Sequence, residues 1–248
     1  MWLLSYMRIR SLKLGSYRIS YTNFMEFLVL YIGIFIFQGY KFKSNEKNPF
    51  IIDCGSHIGL SILYFKKLYP QSRIIGFEPN PYTFKILEQN IEQNNLKKVE
   101  LINAAVGGRK AKVDFFINKK NTWSWGDSTV KNWFVKDSFK KVETYSVKLS
   151  SYMDKPVDML KINIEGSETD VLNEIETKLK LVKKLELHFH GEESNPGNDL
   201  DKIFGILERN RFDYSIMQLR NYLPPKKVRK EEIDRSDPYF LFIRAKKK

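Results

Sequence analysis

From residue 50 onward the chain alternates short apolar runs with amphipathic stretches, and this rhythm limits its fold more than any other feature of the sequence. Short apolar runs bounded by turn residues read as buried strands, and the amphipathic stretches between them read as crossover helices of repeated βα units. Strands are expected near 50–54, 73–77, 99–103, 158–163, 183–189, 212–218 and 239–244. Between the first three, Ile58, Ile62, Phe65 and Leu68 recur at helical spacing, as do Phe84, Leu87 and Ile91, so each stretch buries one face on a sheet. The polar, proline-bearing stretch 221–238 is short for another crossover helix, which favours an antiparallel pair at the end of the sheet. The expected fold is α/β, a doubly wound and mostly parallel seven-stranded sheet.

Two regions break the rhythm. Residues 109–150 form an insertion after the third strand, with β-like runs at 111–117 and 142–147 flanking an aromatic loop. Trp123, Trp125, Trp133 and Phe134 in that loop either line a substrate pocket or anchor the loop. Residues 1–45 read as an extension packed on the main domain, 46–248. Within the extension, FLVLYIGIFIF (27–37) is bounded by Glu26 and by Gln38 with Lys41, so it falls short of the roughly 20 apolar residues of a membrane span. No small-residue cleavage site follows it, which argues against a signal peptide. It reads as a buried helix or strand pair; the other reading is docking at a membrane surface, aided by Arg8, Arg10, Lys13 and Arg18.

Lys and Arg total 42 against 29 acidic residues, a formal net charge of +13, which attracts phosphates, nucleic acid or anionic headgroups without choosing among them. The one cysteine, Cys54, rules out an internal disulfide and fits a reducing, cytoplasmic setting. It reads as a small packed hydrophobe, since local spacing supplies no His or Asp partner for a nucleophile.

The string PFIIDCGSHIGLSILYF places an apolar strand, Asp53 at its carboxyl end, Gly55 and Gly59, and then a helix. The first βα turn of a doubly wound sheet floors the crevice where ligands bind. Asp53 can organise that turn or accept from a ligand, and glycines let backbone approach it. The next strand ends at Glu78, 25 residues after Asp53, where an acid can bind both hydroxyls of a ribose. A dinucleotide fingerprint needs G-x-G-x-x-G, but His57 stands at the middle glycine's place and would crowd a pyrophosphate.

Four ordered motifs, IIDCGSHIG, GFEPNP, INAAVGG and LKINIEGSE, resemble those of the FkbM-like family of class I, Rossmann-like methyltransferases over roughly residues 34–245. The resemblance implies S-adenosylmethionine as methyl donor and O-methylation of a sugar, glycan or lipid-linked acceptor. It implies that Asp53, Gly55 and Gly59 hold the methionine end, Glu78 the ribose and Asn103, Ala104 and Ala105 the adenine edge, with Ser56 also among the cofactor-binding residues and Asn80 supporting the acidic loop. Ser56-His57 departs from that family's Ala-Asn, and Asn163 stands where its Asp is usual.

Methyl transfer to an alcohol needs positioning and a base. Glu165 follows the strand of LKINIEGSE, and in LELHFHG alternation puts Glu186, His188 and His190 on one face, so Glu165, His188 and His190 are the candidate catalytic groups. These side chains could also hold a divalent metal, but no metal is assigned. Besides the hydroxyl-bearing acceptor, an anionic membrane is an expected peripheral contact. The alternatives are an RNA methyltransferase and a non-catalytic basic binding module. The polar-Pro-Pro-aromatic loop of amino-methylating enzymes is replaced here by Asn-Ile-Glu-Gly.

Overall fold

The computed structural model of the protein describes residues 9–118, 127–129, 139–219 and 225–248. The first described element is a hairpin of β1 (Arg10–Leu14) and β2 (Tyr17–Tyr21), followed by α1 (Phe24–Tyr31), which Asn23 caps and a π-helical turn at Ile32–Ile36 extends. The βα units follow: β3 (Phe50–Cys54), α2 (Leu60–Leu68), β4 (Arg73–Phe77), α3 (Pro81–Gln93) and β5 (Val99–Ile102). Asn80 caps α3 through the backbone N–H groups of Tyr82 and Thr83, with Pro81 preset for the first helical position. Then come β6 (Ala105–Gly107), β7 (Ala111–Asn118), β8 (Phe139–Lys148), β9 (Met159–Ile162), α4 (Glu168–Glu174) and β10 (Lys184–Gly191). The chain ends with α5 (Leu200–Arg209), β11 (Phe212–Leu219), β12 (Lys226–Val228) and β13 (Tyr239–Lys247).

The main sheet runs β12-β11-β13-β10-β9-β3-β4-β5. Strands β5, β4, β3, β9 and β10 are parallel, whereas β13 is antiparallel to both β10 and β11. The expected seven-stranded count is corrected: the sheet is mixed and has eight strands, because three-residue β12 pairs antiparallel with the edge of β11. So short an edge strand leaves no periodic pattern to read. The other seven strands lie where the alternation put them. β3 is buried along its whole length, as a central strand covered on both faces must be.

Strands β7 and β8 of the insertion form a separate three-stranded sheet with β6, which immediately precedes it; the order is β6-β8-β7, with β6 parallel to β8 and β7 antiparallel to it. Trp123, Trp125, Trp133 and Phe134 lie outside the described residues, as does Arg8.

The N-terminal segment shares a core with the βα units: Ile19, Phe27, Ile34 and Phe35 join Ile62, Leu63, Phe65 and Leu87 in one buried cluster. Asn90 of α3 stitches the hairpin on, accepting from Ser20 N and donating to the carbonyls of Ser20 and Ile58. The run 27–37 is helical, but it is not buried throughout, because Val29, Ile36 and Phe37 stand half or more exposed. Among the described residues no helix is long and apolar enough to cross a membrane.

Candidate functional site

The turn after β3 is tied down from three sides. Gly55 N and Ser56 N both donate to the carbonyl of Phe77 at the end of β4. Gly55 adopts a left-handed φ of 81°, and a Cβ there would sit 1.9 Å from the carbonyl oxygen of Asn163. Only glycine lets the β3 turn and the β9 exit close on each other in this way. From beneath, Lys161 places its Nζ 2.9 Å from Asp53 Oδ1 and donates to the carbonyl of Gly55 at 2.6 Å. Sheet register puts Asp53 directly opposite Lys161, and both side chains are sealed from solvent. Ser61 Oγ donates to the other Asp53 oxygen. Asp53 is therefore an anchor of the turn, with its carboxylate committed to Lys161 and Ser61.

Above the turn lies a cavity at the carboxyl ends of β3, β4 and β9. Gly55 and His57 contribute from the first loop, Glu78 from the second, Ala104 and Ala105 from beyond β5, and Asn163 and Glu165 from beyond β9. The insertion and the N-terminal helix close it, through Phe115, Asp127, Thr129 and Leu30. Of the nine expected cofactor residues, Gly55, Glu78, Ala104 and Ala105 face this cavity. Asp53, Ser56, Gly59, Asn80 and Asn103 support it from behind. Gly59 (φ 90°) packs so tightly that a Cβ would meet Leu87 Cδ1 at 2.6 Å, which makes it a contact point between α2 and α3. Ser56 bonds back to the carbonyl of Asp53, and Asn103 donates to the carbonyl of Glu78. Cys54 is fully buried and burial pushes its thiol pKa up, so it is a packed residue and no nucleophile.

Glu78 is the most specific group of the cavity. Oε2 accepts from His57 N at 2.8 Å and Oε1 from Asn80 N at 2.9 Å. Burial raises its pKa to about 7 against the pull of those two N–H groups. Each oxygen, having taken one backbone donor, keeps acceptor capacity for another. Asn80 also donates through Nδ2 to Asp127 Oδ2 at 2.6 Å, and Asp127 Oδ1 accepts from Asn118 N. Burial raises Asp127 to about 8, with neighbouring Glu78 adding to the effect. One capping asparagine thus joins an acid of the core sheet to an acid of the insertion. Ser128 and Thr129 fasten the same segment to the β9 exit, through the Glu165 carbonyl and Ser167 Oγ.

The β9 exit carries the second polar group. Glu165 (φ 57°) and Gly166 (φ 102°) turn the chain, and Glu168 holds the turn by accepting from Gly166 N with both oxygens. His190 of β10 lies between two acids, Nδ1 2.9 Å from Glu168 Oε1 and Nε2 3.3 Å from Glu165 Oε1. Burial opposes charge on this ring, but Glu165 and Glu168 outweigh it and raise its pKa to about 9. His190 is therefore an imidazolium at neutral pH that positions Glu165, and it cannot serve as a base.

His188 is separated from the cavity. It packs against the rings of Tyr40 and Phe242, and burial lowers its pKa well below the usual value, followed by the nearby Lys161. It is a neutral core residue, which corrects its assignment as a catalytic group. Glu186 is engaged by Arg244 at 3.0 Å, so of Glu186, His188 and His190 it is His190 that meets Glu165. Among the described residues no cluster of three or more His, Cys, Asp or Glu is arranged to hold a metal ion.

Two functional positions escaped the sequence. Lys161 carried a usable signal, a lone charge between buried Leu160 and Ile162 in a core strand. Asp127 carried none, because its segment is brought back to the cavity by long-range contacts, among them the backbone bridge between Phe116 and Ser128.

A family model described as the methyltransferase FkbM domain matches residues 53–215. "Methyltransferase 1" of Beauveria bassiana is 31% identical over 160 residues, covering 56% of this chain and 63% of that protein. "Methyltransferase sdnD" of Sordaria araneosa is 28% identical over 233 residues, covering 79% and 86%. Among solved structures, methyltransferase FkbM from Methylobacillus flagellatus aligns with a TM-score of 0.52 at 18% identity, over 86% of this chain and 47% of that one. M. jannaschii TYW2, crystallised with AdoMet, aligns with a TM-score of 0.51 at 15% identity, over 97% and 87%. These two likenesses concern the fold. The chain spans less than two thirds of the Beauveria and Methylobacillus proteins.

Proposed function

The chain belongs to the FkbM methyltransferase family, and on that premise we propose that it is an S-adenosylmethionine-dependent methyltransferase acting on a hydroxyl of a sugar, glycan or lipid-linked acceptor. The observation that carries the proposal is Glu78, whose two oxygens each hold one backbone N–H and each keep acceptor capacity at the cavity wall. That arrangement suits two adjacent ribose hydroxyls, one per oxygen. The rest of the cavity fits the same ligand. Gly55 and His57 bring the β3 turn to the cavity wall, and among the described residues no side chain caps the amino end of α2 that follows this turn, which favours a carboxylate. Asn163 Oδ1 is buried and lacks a hydrogen-bond partner among the described residues, so it can accept from an amino group or an acceptor hydroxyl.

When bound, S-adenosylmethionine supplies a methyl group on a positively charged sulfur. The chain's own work is to hold the acceptor oxygen in line and to receive its proton. Glu165 reaches the cavity from the β9 exit and is the carboxylate placed to take that proton. His190 and Glu168 behind it fix its position. Asn163 cannot act as a base, and the task falls to Glu165. Phe115, Asp127 and Thr129 of the insertion form the wall against which an acceptor would lie.

Calorimetric titration with S-adenosylmethionine tests the donor. Binding is expected, with affinity rising about tenfold as pH goes from about 6 to about 8, because an ionised Glu78 accepts the ribose hydroxyls better than a protonated one. Glu78→Gln should bind weakly and without that rise. Absence of binding would remove the methyltransferase reading in favour of a non-catalytic module. Labelled donor offered with glycan, glycolipid and RNA fractions then tests the acceptor, and label in RNA would overturn the choice of a hydroxyl on a glycan or lipid.

A further inference from the structure

The N-terminal helix presents an apolar stripe to solvent. Met25 is 63% exposed, Val29 50%, Ile36 61% and Phe37 68%, and Phe24 flanks them at 44%. Met25 and Val29 are four residues apart and share one helical face, and the π-helical turn carries the stripe on to Ile36 and Phe37. Large apolar side chains gathered in this way on a surface mark an interaction site. The opposite face of the same helix is committed to the protein, with Phe27, Ile34 and Phe35 in the core.

Cations accompany the stripe at both ends in the chain. Exposed Arg10 shares a hairpin face with Leu12 and with Tyr21, whose ring stacks on Phe27 of the helix, while Lys13 and Arg18 lie on the other face. Exposed Lys41 follows Phe37 closely in the chain. A helix of about 20 Å lying flat, apolar on its outer face and bordered by Lys and Arg, fits the boundary between headgroups and acyl chains. A second copy of the chain would bring the same cations against one another, on a molecule already carrying +13. An anionic bilayer neutralises them.

The helix also borders the cavity. Leu30, next to Val29, lines it, and Glu26 lies close enough to Asp127 to raise its pKa. We propose that the face formed by α1, the π-helical turn and the β1–β2 hairpin docks on anionic membrane, with the cavity rim beside the lipid surface. The docking does not depend on the methyl-transfer reading; if both hold, the acceptor is met at the membrane.

The test is co-sedimentation of the full chain with phosphatidylcholine vesicles, with and without phosphatidylglycerol. The expected result is binding to the anionic vesicles only, reversed by high salt. Ile36→Asp with Phe37→Asp should reduce binding at least about tenfold. Arg10→Glu with Lys41→Glu should do the same, at about fivefold per cation. All of these residues are exposed, so both variants should keep the wild-type circular dichroism and S-adenosylmethionine titration, which separates loss of docking from loss of the site. Failure of the wild type to sediment with anionic vesicles, or unchanged binding by both variants, overturns the proposal. So does a dimer in analytical ultracentrifugation that Ile36→Asp with Phe37→Asp dissociates.

Discussion

Lys161→Met is expected to be the most damaging single change outside the cavity wall. It removes the cation from a pair with neither partner open to solvent, 2.9 Å from Asp53, and leaves that carboxylate with Ser61 alone. Deleting one member of a buried ion pair costs about 3–5 kcal/mol, because the remaining charge stays buried without compensation. The carbonyl of Gly55 loses its lysine donor in the same step, and that of Cys54 is left with Asn163 N. Against a total stability of about 5–15 kcal/mol, this brings the chain near its folding limit. With a urea slope of about 2–3 kcal/mol/M, the unfolding midpoint should fall by about 1–2 M. Urea titration followed by far-ultraviolet circular dichroism measures it. Combining Lys161→Met with Asp53→Leu removes both charges, and apolar replacement of a buried pair is often neutral, so much of the loss should return. A single variant within about 1 kcal/mol of wild type, or a double variant no better than the single, would refute the account of Asp53 as an anchor held by Lys161.

Other expectations follow from the same geometry. Gly55→Ala forces a Cβ into the Asn163 carbonyl and strains a left-handed residue, so donor affinity measured by calorimetry should fall at least about tenfold while the far-ultraviolet spectrum is kept. Once an acceptor is known, Glu165→Gln should lower kcat by about 10²–10⁴ with little change in donor affinity, whereas His190→Gln should lower it less and shift the kcat pH profile. His190 has a pKa raised from 6.5 to about 9, so its contribution to stability is complete below about pH 6.5 and is lost as pH rises through about 9. That contribution is on the order of 3 kcal/mol, and the thermal midpoint should drop over this range in the wild type and much less in His190→Gln. Glu78 and Asp127 act in the same direction at lower pH, since burial makes their ionisation costly as pH rises towards about 7 and about 8.

The strands, their crossover helices and the antiparallel end of the sheet were legible because they rest on local periodicity and on turn residues. Gly55 and Glu78 were legible for a related reason, since the place of a loop in a βα unit fixes which strand end it meets. Residues whose roles depend on distant neighbours were less so. Gly59 looks like a cofactor glycine until Leu87 is seen against it. His188 and His190 are equivalent by alternation along β10. They differ because one meets the Tyr40 and Phe242 rings and the other meets two carboxylates. Asp127 needed the fold of the insertion, which no spacing in the chain announces.

The short strand β6 has a consequence for how such a protein can be altered. Its parallel pairing with β8 sets Gly107 beside Lys148, so the chain leaves the core and returns to it at neighbouring points. The entropy of closing a loop grows only slowly with its length, at about 0.6 kcal/mol for each doubling. The excursion between these two points can therefore change in length at little entropic cost, while Asp127, Ser128 and Thr129 hold it to Asn80, Glu165 and Ser167 at the strand ends.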